Sequence, residues 1–112
     1  MSVSYNSIGQ LCITCLGTGP QINAPCKVST SNTIATCLED DPIDGVVVTK
    51  GDYLSTVAIR GFVTLPYLGT APSFGYCALA AAGNGKVKIL QGAREFLVLQ
   101  VDTAKKTVTF CL

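Results

Sequence analysis

Between Gln10 and Leu112, short apolar or β-branched runs alternate with clusters of Gly, Asn, Asp and Pro. Runs of that length, bounded in that way, predict strands joined by turns. The first strand spans residues 10–16 and ends at Gly17-Thr18-Gly19-Pro20. Runs 25–29 and 33–38 flank the polar Thr30-Ser31-Asn32 turn, and Gly45 opens a run at 46–49 that ends in the hairpin signal Lys50-Gly51-Asp52. Later strands fall at 76–81, 86–91, 95–102 and 107–112. Gly83-Asn84-Gly85, Gly92-Ala93-Arg94 and Thr103-Ala104-Lys105-Lys106 separate these four runs and read as tight hairpin connections.

The run 53–65 is long for one strand. Ser55, Val57, Ile59, Gly61, Val63 and Leu65 share one face, and Leu54, Thr56, Ala58, Arg60, Phe62 and Thr64 share the other. Gly61 in mid-run predicts a bulge or bend at a barrel corner. Pro66 ends the pairing because it cannot donate a ladder hydrogen bond. In the turn-rich loop 67–75, Tyr67, Leu68 and Phe74 either fold back onto the core or form a contact surface. No segment keeps a 3.6-residue period, although 78–82 tolerates a helix. The expected fold is all-β: residues 1–112 form a single compact β-barrel or β-sandwich with hairpin connections. About nine strands and at most one helical turn are expected, with no internal repeat.

Composition narrows the function. The chain has 112 residues, 48% of them apolar and only 13% charged, about half the usual charged share. A small domain cannot bury that much apolar surface alone, so contacts with other chains are expected. With a net charge of +1 and no basic stripe, a nucleic-acid partner is not expected. The uncharged stretch 61–85 is broken by Pro66, Pro72 and five glycines, so no membrane span is expected. The opening residues have no positive region followed by an apolar one, so no signal peptide is expected and synthesis in a reducing cytosol is.

Six cysteines invite a chemical reading: Cys12, Cys15, Cys26, Cys37, Cys77 and Cys111. Cys12-Ile-Thr-Cys15 has C-x-x-C spacing, but a redox pair normally opens a helix, whereas this one lies in a strand-like run with its thiols on opposite faces. Zinc commonly takes two close pairs, and only one exists. Disulfides need an oxidising compartment. Core packing by small apolar side chains is the favoured reading.

With no His, neither a Ser–His nor a Cys–His pair can form, and no carboxylates stand in a catalytic pattern. There is no G-x-x-x-x-G-K phosphate loop. The acidic link 39–44 lacks the alternation of a calcium loop and reads as solvated, as do Lys50, Lys86, Lys88, Lys105 and Lys106. No enzyme activity, catalytic residue, metal site or cofactor is expected.

Gly61-Phe62-Val63-Thr64-Leu65-Pro66-Tyr67-Leu68-Gly69-Thr70-Ala71-Pro72, then Gly75-Tyr76 and Leu79, carry a resemblance. The closing stretch carries it too: Val87-Lys88, Gly92-Ala93-Arg94-Glu95-Phe96-Leu97-Val98, Val101-Asp102-Thr103 and Thr107-Val108-Thr109-Phe110. The chain resembles small proteins encoded beside head genes in prophages of Clostridium-like bacteria, and short phage β-proteins that decorate or stabilise capsids. The match covers mainly 44–112, with weaker support from 9–38. The resemblance implies a non-enzymatic virion structural protein, binding the major capsid protein or another virion protein as a homo-oligomer such as a trimer. It implies residence in the bacterial host cytoplasm and then in the virion. Some relatives carry a recombinase label, which the missing nucleotide loop and short length oppose. One alternative is a small saccharide- or peptide-binding β-barrel using Tyr53, Tyr67, Phe74 and Tyr76. Another is a redox or zinc protein using Cys12 and Cys15.

Overall fold

A computed structural model of the chain describes residues 10–112, which form ten strands and no helix. In chain order these are β1 (Leu11–Leu16), β2 (Pro25–Thr30), β3 (Thr33–Thr36), β4 (Gly45–Lys50) and β5 (Leu54–Arg60). Then follow β6 (Phe62–Pro66), β7 (Gly75–Gly83), β8 (Lys86–Ile89), β9 (Glu95–Asp102) and β10 (Thr107–Cys111). The first five close into a barrel in the order β1-β3-β2-β4-β5, and the others form a sheet ordered β6-β10-β9-β7-β8. The fold is all-β, as the run pattern predicts.

Ten strands replace nine because the run 53–65 divides at Gly61. Its φ of +105° is one that a side chain disfavours. Before this corner β5 pairs with β1 and β4; after it β6 pairs with β10. Alternation survives the corner. Val57 faces the barrel core, while Val63 and Leu65 on the same parity enter the core of the second sheet. The helix-tolerant 78–82 lies inside β7, where cross-strand partners override a weak local preference.

Four of the predicted turns make hairpins as expected, Lys50-Gly51-Asp52 joining β4 to β5 among them. Asn32 (φ 56°) turns β2 into β3, and Gly83, Asn84 and Gly85 turn β7 into β8. Between β9 and β10, Asp102 Oδ1 accepts from the Ala104 and Lys105 amides at 3.1 and 3.0 Å. Gly92-Ala93-Arg94 is not a hairpin. The Ala78 carbonyl accepts from Leu90 N at 3.1 Å, while Leu79 N donates to Arg94 O at 3.2 Å. Neighbouring strand residues direct their backbone groups to opposite edges, so β8 and β9 flank β7 on either side. Turn composition marks where a strand ends, not which strand comes next to it.

Two cores share the β4–β5 wall. Cys15, Cys26, Ile34, Val47 and Val57 fill the barrel, with Ile59 against them. The larger core lies inside the second sheet and takes in Val46 and Ala58 from the outer side of that wall. Val46 pairs with Ala58 and Val47 with Val57, so successive residues feed different cores. A wall buried on both faces reads as the continuous apolar run Val46-Val47 instead of an alternation. Phe96 and Phe110 meet edge to face in the larger core, their rings 5.2 Å apart at 64°. Buried hydroxyls are paired: Ser55 Oγ donates to Gly17 O at 2.6 Å, and Thr109 Oγ1 lies 2.7 Å from Thr64 Oγ1.

Candidate functional site

Barrel closure brings together thiols that are far apart in sequence. Cys15 and Cys26 share the barrel core and Cys37 lies buried near them, its Sγ donating to Pro42 O at 3.4 Å. Burial first, and then the neighbouring Cys37, Cys15 and Asp44, push the Cys26 thiol up to about 12. Burial, then Asp41 and Asp44, push Cys37 up to about 11, with Lys27 opposing. Thiols held protonated at neutral pH are poor nucleophiles and poor metal ligands. All six thiols are free, and no metal-capable group of three or more His, Cys, Asp or Glu forms among the described residues. Cys12 departs from the core-filler reading. It is exposed, because Cys15 three positions later takes the inward face of β1.

The acidic link 39–44 is more than a solvated loop. Asp41 pairs with Lys27 at 2.7 Å and accepts from Leu38 N at 2.8 Å, and Asp44 accepts from Val28 N at 2.8 Å. Glu39 (3.4 Å) and Asp40 both pair with Lys88, so Lys88 is not merely a solvated cation. The Asp40 amide donates to Ala81 O, and the Ala81 amide to Asp41 O. The link therefore ties β2 of the barrel to β7 and β8 of the second sheet. These lysines occupy the carboxylates that a cation would need. Lys27 and the Leu38 amide hold Asp41 below its ordinary value. The partnership holds Lys27 above its own, against partial desolvation. A lowered carboxyl stabilises the fold above its unfolded pKa near 3.8, and that gain is lost as pH falls through the lower folded value. Urea midpoints should therefore fall from about pH 5 downward, and Asp41→Asn should flatten that limb; equal slopes would remove the Asp41–Lys27 pair from the acid response.

The expected aromatic cluster does not form a pocket. Tyr53, Phe74 and Tyr76 are 81%, 71% and 71% exposed, while Tyr67 folds into the larger core. Leu68 is exposed like Phe74, so of Tyr67, Leu68 and Phe74 the loop sends one inward and two outward. An open groove of about 620 Å³ runs between β4 and β6, and a second of about 640 Å³ lies beside Gln21, Thr36 and Asn84; neither is lined by these aromatics. The barrel interior is filled by its own side chains.

One apolar row lies on the outside of the second sheet. Tyr76 pairs with Leu97, and Leu97 with Cys111, giving an uncharged cross-strand row. Phe96, Val98, Phe110 and Leu112 turn inward, so alternation turns Leu97 and Cys111 outward. The exposed Leu99 lies two residues beyond Leu97 on β9, and the exposed Phe74 immediately precedes β7. Sequence reasoning left Phe74 between the core and a contact surface, and missed Leu97, Leu99 and Cys111. Their alternation with buried neighbours was visible; which face the rest of the molecule left uncovered was not. Compared with known protein families, curated proteins and solved structures, the chain matches none.

Proposed function

We propose that this is a non-enzymatic structural protein of a phage or prophage, decorating or stabilising the capsid as a homo-oligomer. One observation carries the reading: the outward row Tyr76–Leu97–Cys111, an uncharged apolar row across three strands of the second sheet, with Phe74 and Leu99 exposed beside it in the chain. Apolar faces of this kind mark contacts with other proteins. The sequence resemblance directs the choice of partner to the major capsid protein or another virion protein. Its working places are then the host bacterial cytoplasm and the virion. Each contact is modest, and a repeating lattice multiplies it by presenting many identical sites. The interior supports the reading by offering shape without reactive groups. Against the saccharide- or peptide-binding alternative, neither of the two grooves is lined by Tyr53, Tyr67, Phe74 or Tyr76.

Co-sedimentation with empty shells of the same prophage tests the function. The protein is expected to pellet with shells at saturable stoichiometry, and Tyr76→Asp to weaken binding at least about tenfold by burying a charge. Wild-type protein left in the supernatant at every concentration would overturn the reading.

A further inference from the structure

A bare sheet edge offers unpaired N–H and C=O groups to another strand, and proteins usually protect such edges. The second sheet does so. At β6, Gln10 Nε2 donates to Phe62 O at 3.1 Å and Asn23 Nδ2 to Thr64 O at 3.4 Å. At β8, Lys86 and Lys88 flank Val87, Tyr67 bridges to Val87, and Leu68 N donates to Val87 O at 2.8 Å. The barrel seam is different. β1 meets β3 only where Leu16 lies beside Thr33, with Leu16 N donating to Asn32 O at 2.7 Å. Gly17 N then turns the other way, to Tyr53 O. Alternation carries the backbone groups of Thr14 and Cys12 to the same edge as those of Leu16. There β1 runs past the β2–β3 turn, and no described residue pairs with them. Leu11 and Ile13, 54% and 41% exposed, flank this stretch.

We propose that this edge joins two copies of the chain, their β1 strands pairing antiparallel about a two-fold axis at Ile13. That register sets Cys12 of each copy opposite Thr14 of the other. It satisfies the amide and carbonyl of both residues in both chains, making four hydrogen bonds across the axis. Leu16 N, already committed to Asn32, ends the ladder. The occupant follows from the chemistry of the run. Leu-Cys-Ile-Thr-Cys-Leu has no charge and no proline, so nothing selects a charged partner and nothing keeps two copies apart. A two-fold contact needs a self-complementary surface, which an antiparallel edge provides. Leu11 and Ile13 from both copies then share one face and shield each other.

One short strand pair buries less than a standard interface, so affinity on the order of micromolar is expected. The oligomeric shell-binding reading supplies only the use of this contact; its existence is read without shells.

Sedimentation velocity across a concentration series, in reducing buffer, is the test. Wild type is expected to pass from monomer to dimer. Thr14→Lys, at an exposed site facing away from the core, should leave the circular dichroism unchanged and weaken the dimer at least about tenfold. Cys12→Pro removes an amide on the free edge and should act alike; if it fails to fold, Thr14→Lys decides. The register has its own test. A Thr14→Cys variant, mildly oxidised, should form a covalent dimer through Cys12 of the second copy, since directly opposed pairs lie within disulfide reach. Adding Cys12→Ser should abolish that cross-link.

A monomer at all concentrations overturns the proposal, and so does an oligomer that Thr14→Lys leaves intact. A monomer whose Thr14 amide resists hydrogen exchange also overturns it, because the edge is then covered from within the chain. Failure of wild type to bind shells would sink the functional reading alone, with the dimer mass still measurable.

Discussion

Phe110→Ala is expected to destabilise the protein by about 3–5 kcal/mol, the range for deleting a buried aromatic. Phe110 is fully buried in the larger core, edge to face with Phe96, and its strand partners Val63 and Val98 lie on either side. Removing the ring leaves a cavity between strands that are hydrogen-bonded in place and cannot close over it. Against a total stability of about 5–15 kcal/mol, that is a large share. A urea titration reads it as a lower midpoint with an unchanged slope. Leu99→Ala, on the exposed face, should cost under about 0.5 kcal/mol. A Phe110→Ala loss below about 1 kcal/mol would mean the second sheet is not packed around this ring. The link to function is direct, because β10 carries Phe110 inward and Cys111 outward. Loosening that strand would also blur the outer row proposed for docking.

Gly17→Ala should be nearly as damaging, by about 2–4 kcal/mol, through backbone strain and collision together. Gly17 has φ +103°, and a Cβ there would sit 2.6 Å from the Ile34 carbonyl oxygen, which is backbone and cannot swing away. The same residue also ties the end of β1 to the start of β5: its amide donates to Tyr53 O at 3.2 Å and its carbonyl accepts from Ser55 Oγ at 2.6 Å. The melting temperature should fall by about 10 °C or more. Gly69→Ala is the matched control, with φ +81° but nothing within 4 Å, so it bears strain without collision. Equal losses at the two positions would show that the seam is not tight. A larger loss at Gly17 would locate the barrel's closure there.

Strand positions were readable because alternation is local. The run Thr107-Val108-Thr109-Phe110 announces its own two faces, and Gly61 announces a corner, through backbone and side-chain geometry that needs no distant partner. Even so, the hydroxyl of Thr109 on the predicted polar face proved buried, paired with Thr64 from forty-five residues earlier. Gly92-Ala93-Arg94 looked like the other turns, yet it carries the chain from one edge of β7 to the other. Cys26 and Cys37 looked isolated and were brought near Cys15 by barrel closure. Glu39, Asp40 and Asp41 looked solvated, yet their partners Lys88 and Lys27 arrive from different sheets.

The sequence by itself determined that this protein is built of short strands, where each one turns, and that it lacks histidine chemistry. Only the tertiary structure decided which strands are neighbours, which thiols are hidden, and that Tyr76 and Cys12 face outward. The physical reason is range: periodicity and turn preference act over a few residues, whereas exposure depends on what the rest of the chain packs against each face.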